Sequence, residues 1–437
     1  MNMLNQLKTM SKFKKPDGVG LGKIPGLLTQ EEILTEGQLN HHVHIVGASG
    51  FGKTVLISHI VKDRIEKDRG LLFLDLKGDI ETIHKFTGYA VNANRQKDLM
   101  IFSLSDQDIS LPYNLIQDGT PTQLRDKIML SLNWSEEFYK NQSASFLLKL
   151  LIGLCWLRDN TGLVFTLSTV LKATESLDFI QALAERIPEE RKREKLAIES
   201  CYNFLTNKDN SFSLQGLRTQ LESLVLSDFG ELISSSKNGI NLFHAIRDKK
   251  IIFIFLDSRR YGESAKAIGK FIIQDLKMVS SRIDAEILKD SRDAFSVIID
   301  EFADLAGEDF IGFLDRARSS KISITVAHQE ICDLLRISPE FAGRLMGNTS
   351  TLYAFLQKRP ESAELISSIA GTKKVWKETH RSEKMLFFDM PTGDKSIREV
   401  EEFNIHPNTI KSFGVGACVC VKKYPTAKSY VVRVRYG

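Results

Sequence analysis

Residues Gly47 to Thr54 read Gly-Ala-Ser-Gly-Phe-Gly-Lys-Thr: a glycine, four free positions, then Gly-Lys-Thr. No other stretch of this 437-residue chain restricts its fold as tightly. The apolar run Val43–Val46 precedes it and a helical pattern follows from Val55, so the octapeptide lies between a strand and the N-terminus of a helix. That is the setting of a phosphate-binding loop. Glycines let the backbone curl so that several N–H groups converge on one phosphate chain, and the helix N-terminus adds a partial positive charge. Gly47, Ala48, Ser49, Gly50, Phe51, Gly52, Lys53 and Thr54 are therefore the candidate nucleotide contacts. Lys53 would reach the β- and γ-phosphates and Thr54 would hold Mg²⁺.

Further apolar runs read as buried parallel strands: Leu71–Leu74, Met100–Phe102, Ile251–Leu256, Val297–Ile299, Ile322–Ala327 and Thr351–Phe355. Helical patterns separate many of them, among them 54–67, 264–282 and 308–318. Such alternation predicts an α/β fold with a doubly wound, mainly parallel sheet, in which ligands bind at the carboxyl ends of the strands. From 112 to 246 the alternation stops and the patterns are mostly helical, with no run that reads as a strand of the main sheet. The expected organisation is a nucleotide-binding domain of residues 25–111 and 247–437, interrupted by an all-α domain over 112–246. The runs Gly416–Val421 and Tyr430–Val434 predict a final strand pair with a turn around Tyr424-Pro425.

Composition narrows the class without naming it. Hydrophobic residues make up 42% and charged residues 26%, as in soluble globular domains. The longest apolar stretch, Phe146–Leu157, is interrupted by Lys149 and closed by Arg158. It is too short to span a bilayer, and no signal-peptide pattern is present. A cytoplasmic protein is expected, with any membrane contact at the inner face made through partners. Net charge is +4, and residues 1–24, with five lysines (Lys8, Lys12, Lys14, Lys15, Lys23) against Asp17, account for all of it. The body is neutral, so overall charge does not argue for a nucleic-acid partner; the N-terminal 24 residues read as a flexible basic arm. Cys418 and Cys420 fall on one face of a strand, and His41, His42 and His44 read as strand-edge residues, not metal ligands.

The run Phe295–Ile299 ends in Asp300-Glu301. An apolar strand ending in two acids, in a chain with a phosphate loop, is the second motif of phosphate-loop ATPases: Asp300 on the Mg²⁺ shell, Glu301 polarising the attacking water. The helical domain accounts for the long separation from Lys53. Next come Arg316 and Arg318, two apart on a helix and so facing different ways, and Gln329 after the strand Ile322–Ala327, placed to sense the γ-phosphate. By residue type alone, either arginine is an ordinary surface or ion-pairing residue.

This set resembles the type IV secretion and conjugation coupling proteins, within the FtsK/HerA group of RecA-like ring ATPases. The pieces that carry the resemblance are the octapeptide, Asp75-Leu-Lys-Gly-Asp79, Pro112-Tyr-Asn-Leu115, Ile299-Asp-Glu-Phe-Ala-Asp-Leu305, Arg316-Ala-Arg-Ser319, Ala327-His-Gln329, and Gly347-Asn-Thr-Ser-Thr351 followed by Ser362-Ala363 and Gly371. It implies a RecA-like fold, ATP and Mg²⁺ as ligands, a homo-hexamer, and DNA, a relaxase complex and secretion-channel proteins as partners. Among site residues it implies Glu301 as catalytic acid, Gln329 as sensor and Arg318, ahead of Arg316, as a finger acting on a neighbouring subunit. Family members usually begin with membrane-spanning helices; this sequence shows none, which is read as a soluble variant. Other readings compatible with the residues are an ATP-regulated platform for protein substrates and a HerA-like DNA-repair translocase. For DNA contact the candidate is the segment 371–384, with Lys373, Lys374, Trp376, Lys377, His380, Arg381 and Lys384. It fits either a phosphate-tracking, base-stacking element or a solvated hairpin with one buried tryptophan.

Overall fold

Every apolar run expected as a strand is one. The computed structural model describes residues 17–26, 30–235, 237–385 and 388–436. Its strands are β1 (Gly18–Ile24), β2 (Gln30–Thr35), β3 (Val43–Val46), β4 (Gly70–Asp75), β5 (Leu99–Ser103), β6 (Ile251–Phe255), β7 (Phe295–Ile299), β8 (Ile322–His328), β9 (Thr351–Ala354), β10 (Thr372–Met385), β11 (Phe388–Phe403), β12 (Ala417–Lys422) and β13 (Lys428–Val434). The chain forms two compact units, one of residues up to 60 and from 324 onward, the other of residues 61–323.

In the first unit the strand order is β2-β1-β13-β12-β9-β3-β8. β8, β3 and β9 are parallel, and from β9 outward the pairings are antiparallel. Flanked on both sides, β3 is buried along its whole length. The histidines read as strand-edge residues are therefore core residues in two cases: His42 accepts the Ile324 amide at 3.0 Å, and the His44 and His328 Nε2 atoms lie 2.6 Å apart.

The basic arm expected over 1–24 is not one at its C-terminal end. Lys8, Lys12, Lys14 and Lys15 lie outside the described residues, but 18–24 is strand β1, with Val19 and Leu21 buried. Its neighbour β2 carries Glu32, which is almost fully buried. The Glu32 carboxylate meets the Lys422 ammonium at 2.8 Å and accepts hydrogen bonds from the Tyr353 and Tyr430 hydroxyls, each at 2.7 Å. A buried carboxylate is tolerated only with such partners, and these come from β12, β9 and β13.

Among the described residues, β10 and β11 pair only with each other, as a long hairpin. Its tryptophan is not the buried one that the hairpin reading expected: Trp376 is 70% exposed. Lys374 and Lys377 pair across the ladder with Glu399 and Glu402, at 3.3 and 2.5 Å. The side chains of His380, Arg381 and Lys384 lie outside the described set.

In the second unit β7-β4-β6-β5 form a parallel sheet. β4, β6 and β7 are buried at every position, which is why their sequences are continuous apolar runs and do not alternate. Between 112 and 246 the described residues form helices and no strand. The apolar stretch Phe146–Leu157 lies within the helix Glu137–Thr161 and is largely buried, and among the described residues no helix is long and apolar enough to cross a membrane. This helical stretch is tied to the long helix Ser258–Glu286 by a buried polar triad. Asp275 takes the Lys127 ammonium at 2.6 Å and the Tyr113 hydroxyl at 2.7 Å.

Candidate nucleotide site

β3 delivers the glycine-rich loop, and the two strands beside it hold the loop's base. The Gly47 amide donates to the His328 carbonyl at 3.2 Å, at the end of β8, and the Ala48 amide to the Leu356 carbonyl at 3.0 Å, just past β9. Gly50 and Gly52 have φ of 82° and 116°, a region that side chains disfavour. The octapeptide ends on the first turn of the helix Lys53–Glu66, where backbone amides have no upstream carbonyls to bond. Lys53 is buried and folds back over the loop, donating to the Gly47 carbonyl at 2.6 Å and the Ala48 carbonyl at 3.4 Å. Phosphate oxygens are stronger acceptors for an ammonium than carbonyls are, so Lys53 is already poised in the loop that would receive them. The Thr54 hydroxyl stands on the exposed side of the first turn. A cradle of glycines, an ammonium curled over it and a hydroxyl beside it fit a nucleotide phosphate chain with Mg²⁺.

The acidic pair lies in the second unit, at the carboxyl end of β7. The Asp300 amide donates to the Leu74 carbonyl at 2.9 Å, which fixes the end of β7 against β4. Glu301 adopts a left-handed backbone (φ 51°), its amide turned back onto the Asp300 carboxylate at 2.9 Å. The end of β4 faces the pair. Asp75 is buried and accepts from the amides of Lys77 (3.1 Å) and Asp79 (3.5 Å). Lys77 reaches across to Glu301 at 2.6 Å and Asp300 at 3.3 Å. Burial, reinforced by the neighbouring Asp300 carboxylate, pushes Asp75 up to about 6 against the pull of Lys77 and the two amides. Burial works to lower the Lys77 ammonium, but Asp300, Glu301 and Asp75 together outweigh it and raise its pKa. Three carboxylates thus share one lysine. The Glu301 carboxylate is thus engaged by Lys77 in this structure.

The remaining candidates are more dispersed. Gln329 is exposed directly after β8, one residue from the carbonyl that holds Gly47. Arg316 and Arg318, at the end of the helix Ile311–Ala317, are both exposed. Arg316 Nε bonds its own helix at the Gly312 carbonyl, 3.2 Å, whereas the Arg318 guanidinium has no ion pair among the described residues. The loop and Gln329 belong to the first unit, the acids and the arginines to the second. The residue whose role the sequence did not reveal is Lys77. Its signal was present in the motif Asp75-Leu-Lys-Gly-Asp79, but only the adjacency of β4 and β7 gives that motif a chemistry.

Residues 294–404 match the family described as the TraM recognition site of TraD and TraG. The chain is 19% identical over 403 residues to the type 4 coupling protein DotL of Legionella pneumophila, matching 80% of this chain and 52% of DotL; it spans about half the length of that relative. Over 103 residues it is 31% identical to an uncharacterised protein of Mycoplasma pneumoniae, covering 86% of it. Among solved structures it resembles the bacterial conjugative coupling protein TrwBΔN70, with a TM-score of 0.69 at 15% identity, covering 99% of this chain and 91% of that one. TrwB has also been solved in complex with ADP and Mg²⁺ (TM-score 0.68, 14% identity). The fold is the RecA-like one of phosphate-loop ATPases.

Proposed function

We propose that this chain, which is similar to the type IV coupling proteins, is an ATP-driven motor linking a DNA-processing complex to a conjugation or secretion channel. The observation that carries the proposal is the loop 47–54, with Lys53 folded over a glycine cradle at the end of β3. The ADP and Mg²⁺ held by TrwB support the same ligands here. Lys53 and Thr54 would hold the phosphates and Mg²⁺, Asp300 would belong to the Mg²⁺ shell, and Glu301 would take the proton of the attacking water. Mg²⁺, when bound, would supply charge neutralisation on the phosphates. Gln329 links the state of the phosphates to β8, and Arg318 acts on a neighbouring copy in a hexameric ring, where each site is completed by the next subunit. The helical stretch 112–246 is the docking domain for the relaxase complex, and the protein works at the inner face of the membrane through its channel partners.

The test is ATP turnover by the purified chain with and without DNA, alongside Glu301→Gln. A motor turns over faster with DNA. Glu301→Gln binds Mg–ATP but loses about 10²–10⁴-fold in turnover, the usual contribution of a general base. Slow, DNA-independent turnover together with protein-substrate binding overturns the motor in favour of a recruitment platform. Normal turnover by Glu301→Gln removes that residue from the base role.

A further inference from the structure

A cavity of about 400 Å³ in the second unit is walled almost entirely by charged residues. Lys67, Arg69, Lys249, Arg292 and Lys321 line it, against the carboxylates of Asp68 and Asp293. These residues lead into β4 (Asp68, Arg69), β6 (Lys249), β7 (Arg292, Asp293) and β8 (Lys321), so the cavity opens at the amino ends of the strands. Asp75 and Asp300 stand at the carboxyl ends, roughly 20 Å away along the six residues of β4. That distance separates the cavity from the acidic pair.

Three helices end here: Lys53–Glu66, Leu242–Arg247 and Ile311–Ala317. Each is followed, before the next strand, by a left-handed residue: Asp68 (φ 54°), Lys249 (φ 52°) and Lys321 (φ 56°). Glycine is the usual residue in such a turn, because a side chain strains it. Two of the three turns instead carry a lysine and bring an ammonium to the cavity. Cations do offset the dipole at helix carboxyl ends, but the partners of these two ammonium groups are weak ones. Lys321 donates to a neutral acceptor, the Arg292 carbonyl, at 2.8 Å. Lys249 meets Asp293 at 3.2 Å, but that carboxylate is 56% exposed, and exposed pairs contribute little. Arg292 is held differently. Its guanidinium donates to Asp284 at 2.6 Å and to the carbonyls of Ile287 and Ser319 at 2.9 and 2.8 Å, so it is a fixed cationic wall. A phosphate oxygen is a stronger acceptor for an ammonium than a carbonyl is.

We infer that this cavity binds a phosphate group, as a phosphomonoester or pyrophosphate anion, with Lys249 and Lys321 as its ligands and Arg292 as the positive wall behind them. The volume suits a phosphate with a small substituent. A soluble phosphate ester and a phospholipid headgroup present this chemistry alike. Neither lysine belongs to the loop 47–54, so binding here stands or falls apart from the nucleotide reading of that loop.

The experiment is calorimetric titration with inorganic pyrophosphate of the full chain carrying Lys53→Ala, which takes the ammonium out of the phosphate loop. That parent is compared with its combinations with Lys249→Gly, Lys321→Gly and Lys249→Arg. The same three changes, made without Lys53→Ala, are tested by flotation on vesicles of phosphatidylcholine with and without phosphatidic acid. Glycine suits both left-handed turns, so the glycine variants should melt no lower than their parents. Each should weaken pyrophosphate binding about tenfold or more, the scale of one charge-assisted hydrogen bond, and Lys249→Arg should retain it. Vesicle binding that requires phosphatidic acid and is lost in the glycine variants assigns a lipid headgroup to the site. Pyrophosphate binding without vesicle binding assigns a soluble phosphate ester. Binding of neither probe, or binding within about twofold of the parent in both glycine variants, overturns the site. So does a lower melting temperature with binding intact, which leaves the lysines serving the helix ends alone.

Discussion

Removing Lys77 should expose how strongly the acidic pair depends on it. The contact is a 2.6 Å charge-assisted hydrogen bond to Glu301 with a second, 3.3 Å contact to Asp300. The Lys77 and Glu301 side chains are only 27% and 15% exposed, so solvent screens the pair weakly. Hydrogen bonds to charged groups contribute about 1.5–3 kcal/mol, and the Lys77–Glu301 pair should fall in that range. The single change Lys77→Ala costs more than the pair alone, because it removes a cation that Asp75, Asp300 and Glu301 share. The measurement is a double-mutant cycle of Lys77→Ala and Glu301→Ala by urea unfolding of the nucleotide-free chain, which isolates the pairwise part. A coupling of about 1.5–3 kcal/mol is expected. A coupling below about 0.5 kcal/mol means that the two side chains do not hold each other in solution, and the view of Glu301 as an occupied base falls with it. Glu301→Gln keeps an acceptor for the Lys77 ammonium, so its stability should change less than that of Glu301→Ala.

Three further outcomes follow from the same structure. Glu32→Ala should destabilise the first unit by about 3–5 kcal/mol, because it strands the buried Lys422 ammonium; Glu32→Gln should cost less, and chemical denaturation reads both. His44 is held well below its ordinary value of 6.5, first by burial and then by the charge of His328, so it stays neutral in the fold while the unfolded chain takes up a proton. Its contribution to stability is therefore present above about pH 6.5 and lost as pH falls below it; thermal melts of His44→Gln should show a shallower pH dependence between about pH 5 and 7. Arg318→Ala subunits mixed with wild type should depress the turnover of their neighbours, whereas Arg316→Ala should not; the reverse result makes Arg316 the finger.

What could be read in advance, and what could not, follows from how local each piece of physics is. β4, β6 and β7 are legible because both faces of a parallel sheet are buried, so each strand writes an unbroken apolar run. The loop is legible because its glycines, lysine and threonine are contiguous and the strand and helix that frame it are its immediate neighbours. β1 and β2 were missed for the opposite reason. Gly-Val-Gly-Leu-Gly in β1 has little apolar mass, and Glu32 looks like a surface residue until Tyr353, Tyr430 and Lys422, all more than 300 positions away, surround it. Trp376 was expected inside because tryptophans usually bury much of their area; it stands instead on the hairpin β10–β11, which among the described residues pairs with no other strand, and is 70% exposed.

Lys77 shows where such reading reaches its limit in the candidate site. Asp75, Lys77 and Asp79 are close in sequence, and two of their contacts are local: the amides of Lys77 and Asp79 fold onto the Asp75 carboxylate. Those contacts alone would make the motif an ordinary turn after a strand. The long-range contact spans 223 positions, from Lys77 to Asp300, and exists only because β7 was placed beside β4, with residues 112–246 lying between them in sequence. A parallel sheet brings the carboxyl ends of its strands together whatever their order in the chain. Charged residues just past two apolar runs are therefore candidates to meet, and the order of strands decides which of them do. Here that order sets a lysine against two acids. The assignment of Glu301 as a base accordingly depends on a residue that no reading of its own strand would have brought into view.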